Sequence, residues 1–240
     1  WSPENSKVNV LTNEEVSFEG LPIGSTESGT VKGELIDLTR DDFLSKESSE
    51  ITNSIVLLDN LRSPPFYNGD PLSVIKKITC CKRCRPKGII VQNARNQGGL
   101  NKFINLRESE ISLEDIPASS ITFEDGELLK RISQNSDKSL KVKIMNEINS
   151  FKGVSSNIIT RIPGKQEEVI IVGAHYDSTP NSPGASDNVS SNAVLLEVTK
   201  ALTKLSERNK PAKNLVFIFF GSEEINHQGS KYFTNEVGNE

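Results

Sequence analysis

The sequence predicts an α/β protein in which a mixed, mainly parallel sheet flanked by helices follows a smaller, β-rich α+β part. Two continuous apolar runs, "EVIIVGA" (168–174) and "NLVFIFFG" (214–221), are typical of strands buried on both faces. The residues between them predict a helix of about 20 residues with one apolar stripe. The stripe consists of Val194, Val198, Ala201 and Leu205. A strand, a helix and a strand in this order form a parallel βαβ unit.

Residues 1–150 form the first predicted domain, and residues 151–240 form the second. Short runs of β-branched and apolar residues bounded by turn residues predict the strands of the first domain. These are two edge strands, "VNVL" (8–11) and "EVSF" (15–18), followed by "SIVLLD" (54–59) and "GIIVQN" (88–93). The stretch "IPASSITFEDGELLKRI" predicts a strand and a turn that lead into a helix from Gly126.

The composition is that of a globular protein and disfavours some partners. Of the 240 residues, 35% are apolar and 25% are charged, and the formal net charge is −4. A charge so close to balance does not favour nucleic acid or an anionic membrane as a partner. No apolar run reaches the roughly 18 residues of a membrane-spanning helix, and no signal-peptide pattern occurs. Because the first residue is Trp1, we expect a processed chain or a piece of a longer one.

Two clusters of residues in the first domain each have a purely structural and a functional interpretation. Cys80, Cys81 and Cys84 contain one CxxC spacing, which is half of a structural zinc site without its second pair. Free thiols are therefore favoured, with a local redox or metal role as the alternative. Six basic residues are interpreted as a solvated helix face and turn, with a phosphate-binding patch as the alternative. They are Lys76, Lys77, Lys82, Arg83, Arg85 and Lys87.

Residues that can bind metal or accept a proton follow both predicted strands of the second domain. His175 and Asp177 follow the first strand, Glu223 and Glu224 follow the second, and Asp187 lies just before the helix. In open α/β sheets, ligands bind beyond the carboxyl ends of the strands. If the two strands are parallel, all five side chains emerge at one edge of the sheet.

These residue types fit a metal-dependent hydrolytic site. A neutral imidazole and carboxylates bind Zn²⁺, and a carboxylate two residues beyond the histidine can fix the ring through its other nitrogen. This predicts that Asp177 orients His175 and that Asp187 binds metal. A carboxylate can also bridge two ions about 3.5 to 4 Å apart. Of two adjacent glutamates, one can bind metal while its neighbour accepts a proton from water.

Each of these signals has a simpler interpretation when it is taken alone. An HxD sequence at a strand end is commonly a capped turn, and a Glu-Glu pair is commonly a solvated surface. Asp187 alone would be an N-cap, a position that Asp favours. Because the three signals converge on one sheet edge, a metal site is the favoured interpretation.

Three stretches together resemble the zinc-dependent aminopeptidases of metallopeptidase family 28. The stretches are "VGAHYDS", "GASDN" followed by "AVLLEV", and "FIFFGSEEINHQGSKYF". Members of this family carry an HxD motif, a Gly-Ala-x-Asp-Asn-like loop and a Glu-Glu pair before a Gly-Ser turn, in this order. The resemblance implies a zinc exopeptidase-like fold, which belongs to the phosphorylase/hydrolase-like architecture.

The same resemblance implies a role for each matching residue. His175 would ligate one zinc ion, Asp177 would orient it, and Asp187 would bridge both zinc ions. Glu224 would ligate the other zinc, and Glu223 would be the general base.

Several stretches of the first domain resemble a protease-associated domain, a module that several secreted members of the family carry inserted within the peptidase domain. The resemblance spans roughly residues 31–149, and it implies an extracellular or secreted protein. The stretches are "TVKGELIDL", "ITNSIVLLDN", "KGIIVQN" and "IPASSITFEDGELL".

The sequence departs from the family pattern after the Glu-Glu pair. The family has two further ligands there, an acidic residue and a histidine well downstream, whereas these residues end at Glu240. We therefore expect an internal fragment that lacks the C-terminal half of the peptidase domain. Such a fragment should bind zinc weakly, be inactive alone and leave a hydrophobic sheet edge exposed.

His227 is one internal candidate for the missing histidine. It follows Glu224 at a Glu-x-x-His spacing, which can present both side chains on one face of a helix to a metal. The matching position in the family is not a ligand, so a surface or turn histidine is favoured.

The functional prediction is a zinc-dependent exopeptidase that removes N-terminal residues from peptides through a metal-activated water, with Glu223 as the general base. The predicted substrate is a peptide or protein, and the predicted cofactor is Zn²⁺, with two ions in the complete enzyme. Two alternatives on the same scaffold stay open: a non-catalytic receptor or binding homologue, and a carboxypeptidase or glutaminyl-cyclase-type enzyme. Intact metal-binding residues argue against a receptor.

Overall fold

A computed structural model describes most of the chain as two compact units, Trp1–Lys152 and Gly153–Glu240. The described residues are 2–12, 15–23, 26, 28–38, 48–59, 85–93, 113, 116–136, 138–149, 152–179 and 182–236. Cys80, Cys81 and Cys84 lie outside them, as do the basic residues 76–83. None of the helices in the described part is long and apolar enough to cross a membrane.

The first unit is built on an eight-stranded mixed sheet with the strand order β2-β1-β8-β4-β5-β6-β7-β3. Strands β4, β5, β6 and β7 run parallel to one another. The remaining strand pairs of the sheet are antiparallel. The strands are β1 (Ser2–Leu11), β2 (Glu15–Glu19), β3 (Leu21–Pro22), β4 (Gly29–Asp37), β5 (Ser54–Asp59), β6 (Gly88–Gln92), β7 (Ala118–Ile121) and β8 (Lys141–Asn149). In the described part of this unit, the helices are α1 (Ser48–Thr52) and α2 (Phe123–Gln134).

Two details of this unit differ from the sequence prediction. Strand β2 lies at an edge as predicted, but β1 pairs with both β2 and β8. The prediction for β1 was wrong because side-chain alternation reports which face of a strand is buried, and not whether its hydrogen-bonding edge has a partner. Helix α2 begins at Phe123 and not at Gly126, because the Thr122 side chain caps it by accepting a hydrogen bond from the Asp125 N–H at 3.0 Å.

The core of the first unit lies on both faces of its sheet. Along β5, Val56 and Leu58 pack into one apolar cluster, and Ile55 and Leu57 pack into another. Successive side chains of a strand point to opposite faces, so an uninterrupted apolar run is what two buried faces require.

The second unit contains the predicted parallel βαβ unit. Its elements are β9 (Ile158–Ile162), β10 (Val169–His175), α3 (Ser190–Ser206), β11 (Asn214–Phe220) and α4 (Gln228–Glu236). Strand β10 pairs in parallel with β11 from Val169–Asn214 to His175–Phe220, which confirms the parallel pair, and β9 runs antiparallel on the other side of β11. The chain is thus a mixed α/β protein with sheets flanked by helices.

Strand β10 differs from its predicted environment. The apolar run predicts burial on both faces, but its side chains from Val169 to Val172 are exposed. Within the described residues, β10 is the outer strand of the order β10-β11-β9, and α3 is the helix that packs against it. Cover from one helix leaves much of the apolar run in contact with solvent.

Helix α3 also differs in the face that it buries. The predicted stripe is exposed, with Val194 at 65% and Leu205 at 61% relative exposure, while Leu195 is buried at 4% and packs with the partly buried Leu202. The helix carries apolar residues on more than one face, so the periodicity alone could not identify the face that meets the sheet. It also has 17 residues, slightly fewer than predicted.

Candidate metal centre

The candidate site lies beyond the carboxyl ends of β10 and β11. The register pairs His175 with Phe220, and the Tyr176 N–H donates to the Phe220 carbonyl at 3.0 Å. The two strands therefore end level with each other, and the segments that leave them begin side by side. The structure brings the predicted residues His175, Asp177, Asp187, Glu223 and Glu224 together at this edge.

His175 is fixed through both ring nitrogens. Its Nδ1 lies 3.0 Å from the backbone carbonyl oxygen of Asp177, and its Nε2 lies 3.0 Å from Oδ1 of Asp187. Because a carbonyl oxygen only accepts hydrogen bonds, Nδ1 carries the proton of the neutral ring. The lone pair of Nε2 then points towards the carboxylate of Asp187.

Asp187 lies in the irregular turn Ala185–Val189 that precedes α3. Its backbone is not helical, its side chain is mostly exposed, and its peptide bond to Asn188 is cis. The N-cap of α3 is Val189, so Asp187 does not cap that helix. The carboxylate is directed at His175 instead.

Asn192 ties this turn to the end of β10. Its side-chain amide donates to the His175 carbonyl at 2.6 Å and to the Asn188 carbonyl at 2.8 Å. The segments before and after Asp187 are therefore held by one side chain of α3. Sequence reasoning missed Asn192, since an Asn inside a helix carries no signal of a bond to a distant strand.

The Asp177 carboxylate holds the Glu-Glu segment. Its Oδ1 accepts the Glu223 N–H and its Oδ2 accepts the Glu224 N–H, each at 3.0 Å. The same Oδ1 lies 3.6 Å from His175 Nδ1, which is too long for a hydrogen bond. In the structure Asp177 therefore contacts His175 through its backbone carbonyl, and its carboxylate fixes the backbone after β11.

Glu224 is buried at 5% relative exposure and lies among other acidic groups. Burial and the neighbouring carboxylates of Asp187 and Glu223 raise its pKa above the ordinary value, although His175 acts in the opposite sense. Ligand atoms of His175, Asp187 and Glu224 all lie within 4.8 Å of one another. The three residues therefore form a cluster of one imidazole and two carboxylates with excess negative charge.

Glu223 lies beside this cluster. One carboxylate oxygen, Oε2, is 3.8 Å from His175 Nε2, and the other, Oε1, is 2.7 Å from Nδ1 of His227. His227 is 40% exposed and lies in a turn, as the favoured prediction has it, but it is paired with Glu223. A sequence spacing counted to Glu224 could not reveal this partner.

The turn that carries these residues is closed by glycines and an asparagine. The Gly221 N–H donates to Asn157 Oδ1 at 3.2 Å, and Asn157 Nδ2 donates to the Gly229 carbonyl at 2.8 Å. A Cβ atom on Gly229 would collide with the Gly221 backbone, so the close approach of the two ends of the turn requires glycine. The position of the Glu-Glu pair is thus determined from both ends.

A parallel strand pair that brings one imidazole and several carboxylates to its carboxyl edge is the arrangement of a metal-dependent hydrolase. Comparison with known proteins narrows this class. Residues 157–240, which lie in the second unit, match the peptidase family M28.

The similar proteins include two curated relatives. Aminopeptidase YwaD of Bacillus subtilis (strain 168) is 34% identical over 122 residues, which cover 51% of this chain and 25% of that protein. Leupeptin-inactivating enzyme 1 of Streptomyces exfoliatus is 35% identical over 82 residues, which cover 34% of this chain and 18% of that protein. The match thus spans about a quarter or less of the length of these relatives.

Two solved structures share the fold. A peptidase M28 precursor from Shewanella amazonensis SB2B superimposes with a TM-score of 0.76 at 18% identity, over 100% of this chain and 56% of that one. An aminopeptidase from Aneurinibacillus sp. strain AM-1 superimposes with a TM-score of 0.67 at 23% identity, over 98% of this chain and 53% of that one. The chain spans about half the length of each, so the activity of the whole protein is a matter for proposal.

Proposed function

We propose that the protein is a zinc-dependent aminopeptidase that hydrolyses N-terminal residues from peptides. The observation that supports this most strongly is the contact of His175 Nε2 with Asp187 Oδ1 at 3.0 Å. Since Nδ1 donates to the Asp177 carbonyl, a neutral ring presents only a lone pair to this carboxylate. Two acceptors at this distance are stable only with a proton or a cation between or beside them.

The donor set fits zinc better than it fits a proton alone. Zn²⁺ is bound in proteins by neutral imidazole nitrogen and by carboxylate oxygen. The cluster of His175, Asp187 and Glu224 offers one such nitrogen and two such carboxylates within 4.8 Å. A divalent cation would also neutralise the charge that raises the pKa of Glu224.

The roles of the residues follow from their positions. His175, Asp187 and Glu224 would hold the metal, and bound zinc would polarise the substrate carbonyl and lower the pKa of water. Glu223 lies next to the cluster, so its Oε2 can accept a proton and deliver it to the leaving amine. Asp187 is exposed and has a second oxygen, which is what a bridge to a second zinc ion requires.

We also propose that the first unit is a protease-associated domain and that the protein is extracellular or secreted. The stretches that carry this resemblance coincide with β4, β5, β6 and β7, followed by α2. Fractionation of cells that express the full-length protein tests the location. Recovery in the medium is expected, and retention in the cytosol would contradict the proposal.

The activity is tested with aminoacyl chromogenic substrates on the full-length protein. Hydrolysis should require a free amino terminus, stop with a chelator and return with zinc. Glu223→Gln should lower kcat by about 10²- to 10⁴-fold, the usual contribution of a positioned general base. The matched control is Glu197→Gln on α3, because Glu197 is exposed and forms an ion pair with Lys200 on the same helix. This control should retain activity.

Other outcomes point to the alternatives. Absence of chelator-sensitive hydrolysis would contradict an enzyme and favour a receptor, whereas cleavage at the carboxyl end would favour a carboxypeptidase. The solved relatives are nearly twice as long, and the family resemblance implies two further ligands. We therefore expect the 240 residues alone to act at background level.

A further inference from the structure

His227 contacts the candidate general base, a role that the sequence spacing did not indicate. Its Nδ1 lies 2.7 Å from Oε1 of Glu223, which is a close ion-pair distance. Its backbone N–H also donates to the Glu223 carbonyl at 2.8 Å. One residue therefore binds both the side chain and the main chain of Glu223.

The backbone of the turn directs the imidazole towards Glu223. Asn226 and His227 have φ angles of 61° and 56°, in the left-handed region. The sequence prediction paired His227 with Glu224 at a spacing of three residues, whereas the structure pairs it with Glu223 at a spacing of four. Among the described residues, His227 is not part of the metal-ligand cluster.

A histidine in the left-handed region is unfavourable, and such strain persists where surrounding structure enforces it. The enforcing contacts are on both sides of the turn. The Gln228 N–H donates to the Ser222 carbonyl at 2.9 Å, and the Lys231 N–H donates to the His227 carbonyl at 3.0 Å.

The two oxygens of Glu223 have different surroundings as a result. Oε1 is occupied by His227, and Oε2 faces His175 Nε2 at 3.8 Å. A glutamate side chain has three rotatable bonds, so without a second anchor its carboxylate can turn away from the cluster. The bond from His227 fixes the carboxylate plane and leaves Oε2 directed at the metal-ligand cluster.

We propose that His227 is a positioning residue for the general base: it donates from Nδ1 to Glu223 Oε1 and so presents Oε2 to the reacting water. This rests on the proposed function, in which Glu223 moves the proton. Among the described residues, His227 is not a member of the metal-ligand cluster. Its removal should lower kcat and leave KM almost unchanged, because it acts on a catalytic group and not on substrate binding.

The activity test compares three variants of the full-length protein. His227→Gly removes the donor, and glycine tolerates the left-handed backbone. This variant should lower kcat by about tenfold, which is part of the contribution of about 10²- to 10⁴-fold that a positioned base makes. His227→Asn places an amide N–H near the Nδ1 position and tolerates the same backbone, so most of kcat should return. Asn226→Gly is the matched control, since Asn226 has the same backbone conformation but contacts Lys231 and not Glu223.

A loss in His227→Gly that is absent from Asn226→Gly supports the proposal. Equal kcat values for these two variants would overturn it, and so would a failure of His227→Asn to recover. If the wild-type protein shows no chelator-sensitive hydrolysis, the proposed function fails. The contact between His227 and Glu223 is then tested separately, by locating the ring proton of His227.

The protonation of the ring is a readout independent of activity. The 240-residue chain has two histidines, His175 and His227, so long-range ¹H–¹⁵N spectra of the rings can be assigned with the His227→Asn variant. In the neutral ring of His227, Nδ1 should carry the proton. An unprotonated Nδ1 with the proton on Nε2 would overturn the proposal, whatever the activity of the enzyme.

Discussion

The apolar runs of β5 and β10 have the same sequence signature and different surroundings. In β5, Ile55 and its neighbours are fully buried between two apolar clusters. In β10, Ile171 is 53% exposed although it lies in an equally continuous apolar run that pairs in parallel with its neighbour. The difference lies in what covers the two faces and the second edge of each strand.

This difference shows what an apolar pattern encodes. A continuous run specifies that a strand is suited to burial on both faces, but the elements that cover it are encoded elsewhere in the sequence. The hydrophobic contribution to stability is proportional to the area removed from water. The two strands should therefore respond differently to the same substitution.

The largest effect is expected from removing a buried isoleucine side chain. Ile55→Ala should lower the free energy of unfolding of the first unit by about 2–5 kcal/mol, because it leaves a cavity in a closed core. Ile171→Ala should lower that of the second unit by less than about 1 kcal/mol, since the side chain is half exposed. Hydrogen exchange in urea, followed by mass spectrometry, measures each unit separately.

A second pair of variants controls for residue type. Val56→Ala and Val172→Ala repeat the comparison with a smaller side chain, and the buried Val56 should again show the larger loss. Similar losses in β5 and β10 would mean that β10 is covered in solution, and the contrast between the two strands would no longer hold.

A smaller expected difference is in how the free energy of unfolding depends on pH, and it is specific to the second unit. In the metal-free protein, burial and neighbouring carboxylates raise the pKa of Glu224 above 4.5, so the folded state binds this proton more tightly than the unfolded state. The free energy of unfolding of this unit should therefore fall as pH rises above 4.5. At lower pH both states are protonated, and the penalty is absent.

The measurement is hydrogen exchange of the chelator-treated protein over a pH series, with the first unit as an internal reference. Glu224→Gln should remove the contribution of this group, because the amide does not ionise. Zinc should also reverse it, because a cation stabilises the carboxylate form. An unchanged pH dependence in Glu224→Gln would show that another group is responsible.

Most of the long strands and helices, and the residues that form the site, could be predicted from the sequence. Strands β5, β6, β10 and β11 follow from their apolar runs, and the convergence of His175 and the Glu-Glu pair follows from the parallel βαβ order. Helix α4 was not predicted, because its short sequence is mostly polar. The residues of the site could be named because strand ends in such a sheet have known positions.

The contacts within the site could not be predicted in the same way. The partner of the Asp177 carboxylate depends on how the backbone after β11 turns, and the partner of His227 depends on left-handed residues. The prediction counted the spacing of His227 to Glu224, whereas the contact is with Glu223, one residue earlier. These contacts are properties of the folded turn and not of a sequence interval.

In the proposed site, His175, Asp187 and Glu224 hold metal while Glu223 acts on a proton. The most direct test is the zinc content of the purified full-length protein, measured by elemental analysis for the wild type and two variants. Glu223→Gln should keep its zinc and lose turnover, whereas Asp187→Ala should lose zinc. Retention of zinc by Asp187→Ala would contradict the role of Asp187 as a metal ligand. Loss of zinc from Glu223→Gln would contradict the role of Glu223 as a base that does not hold the metal.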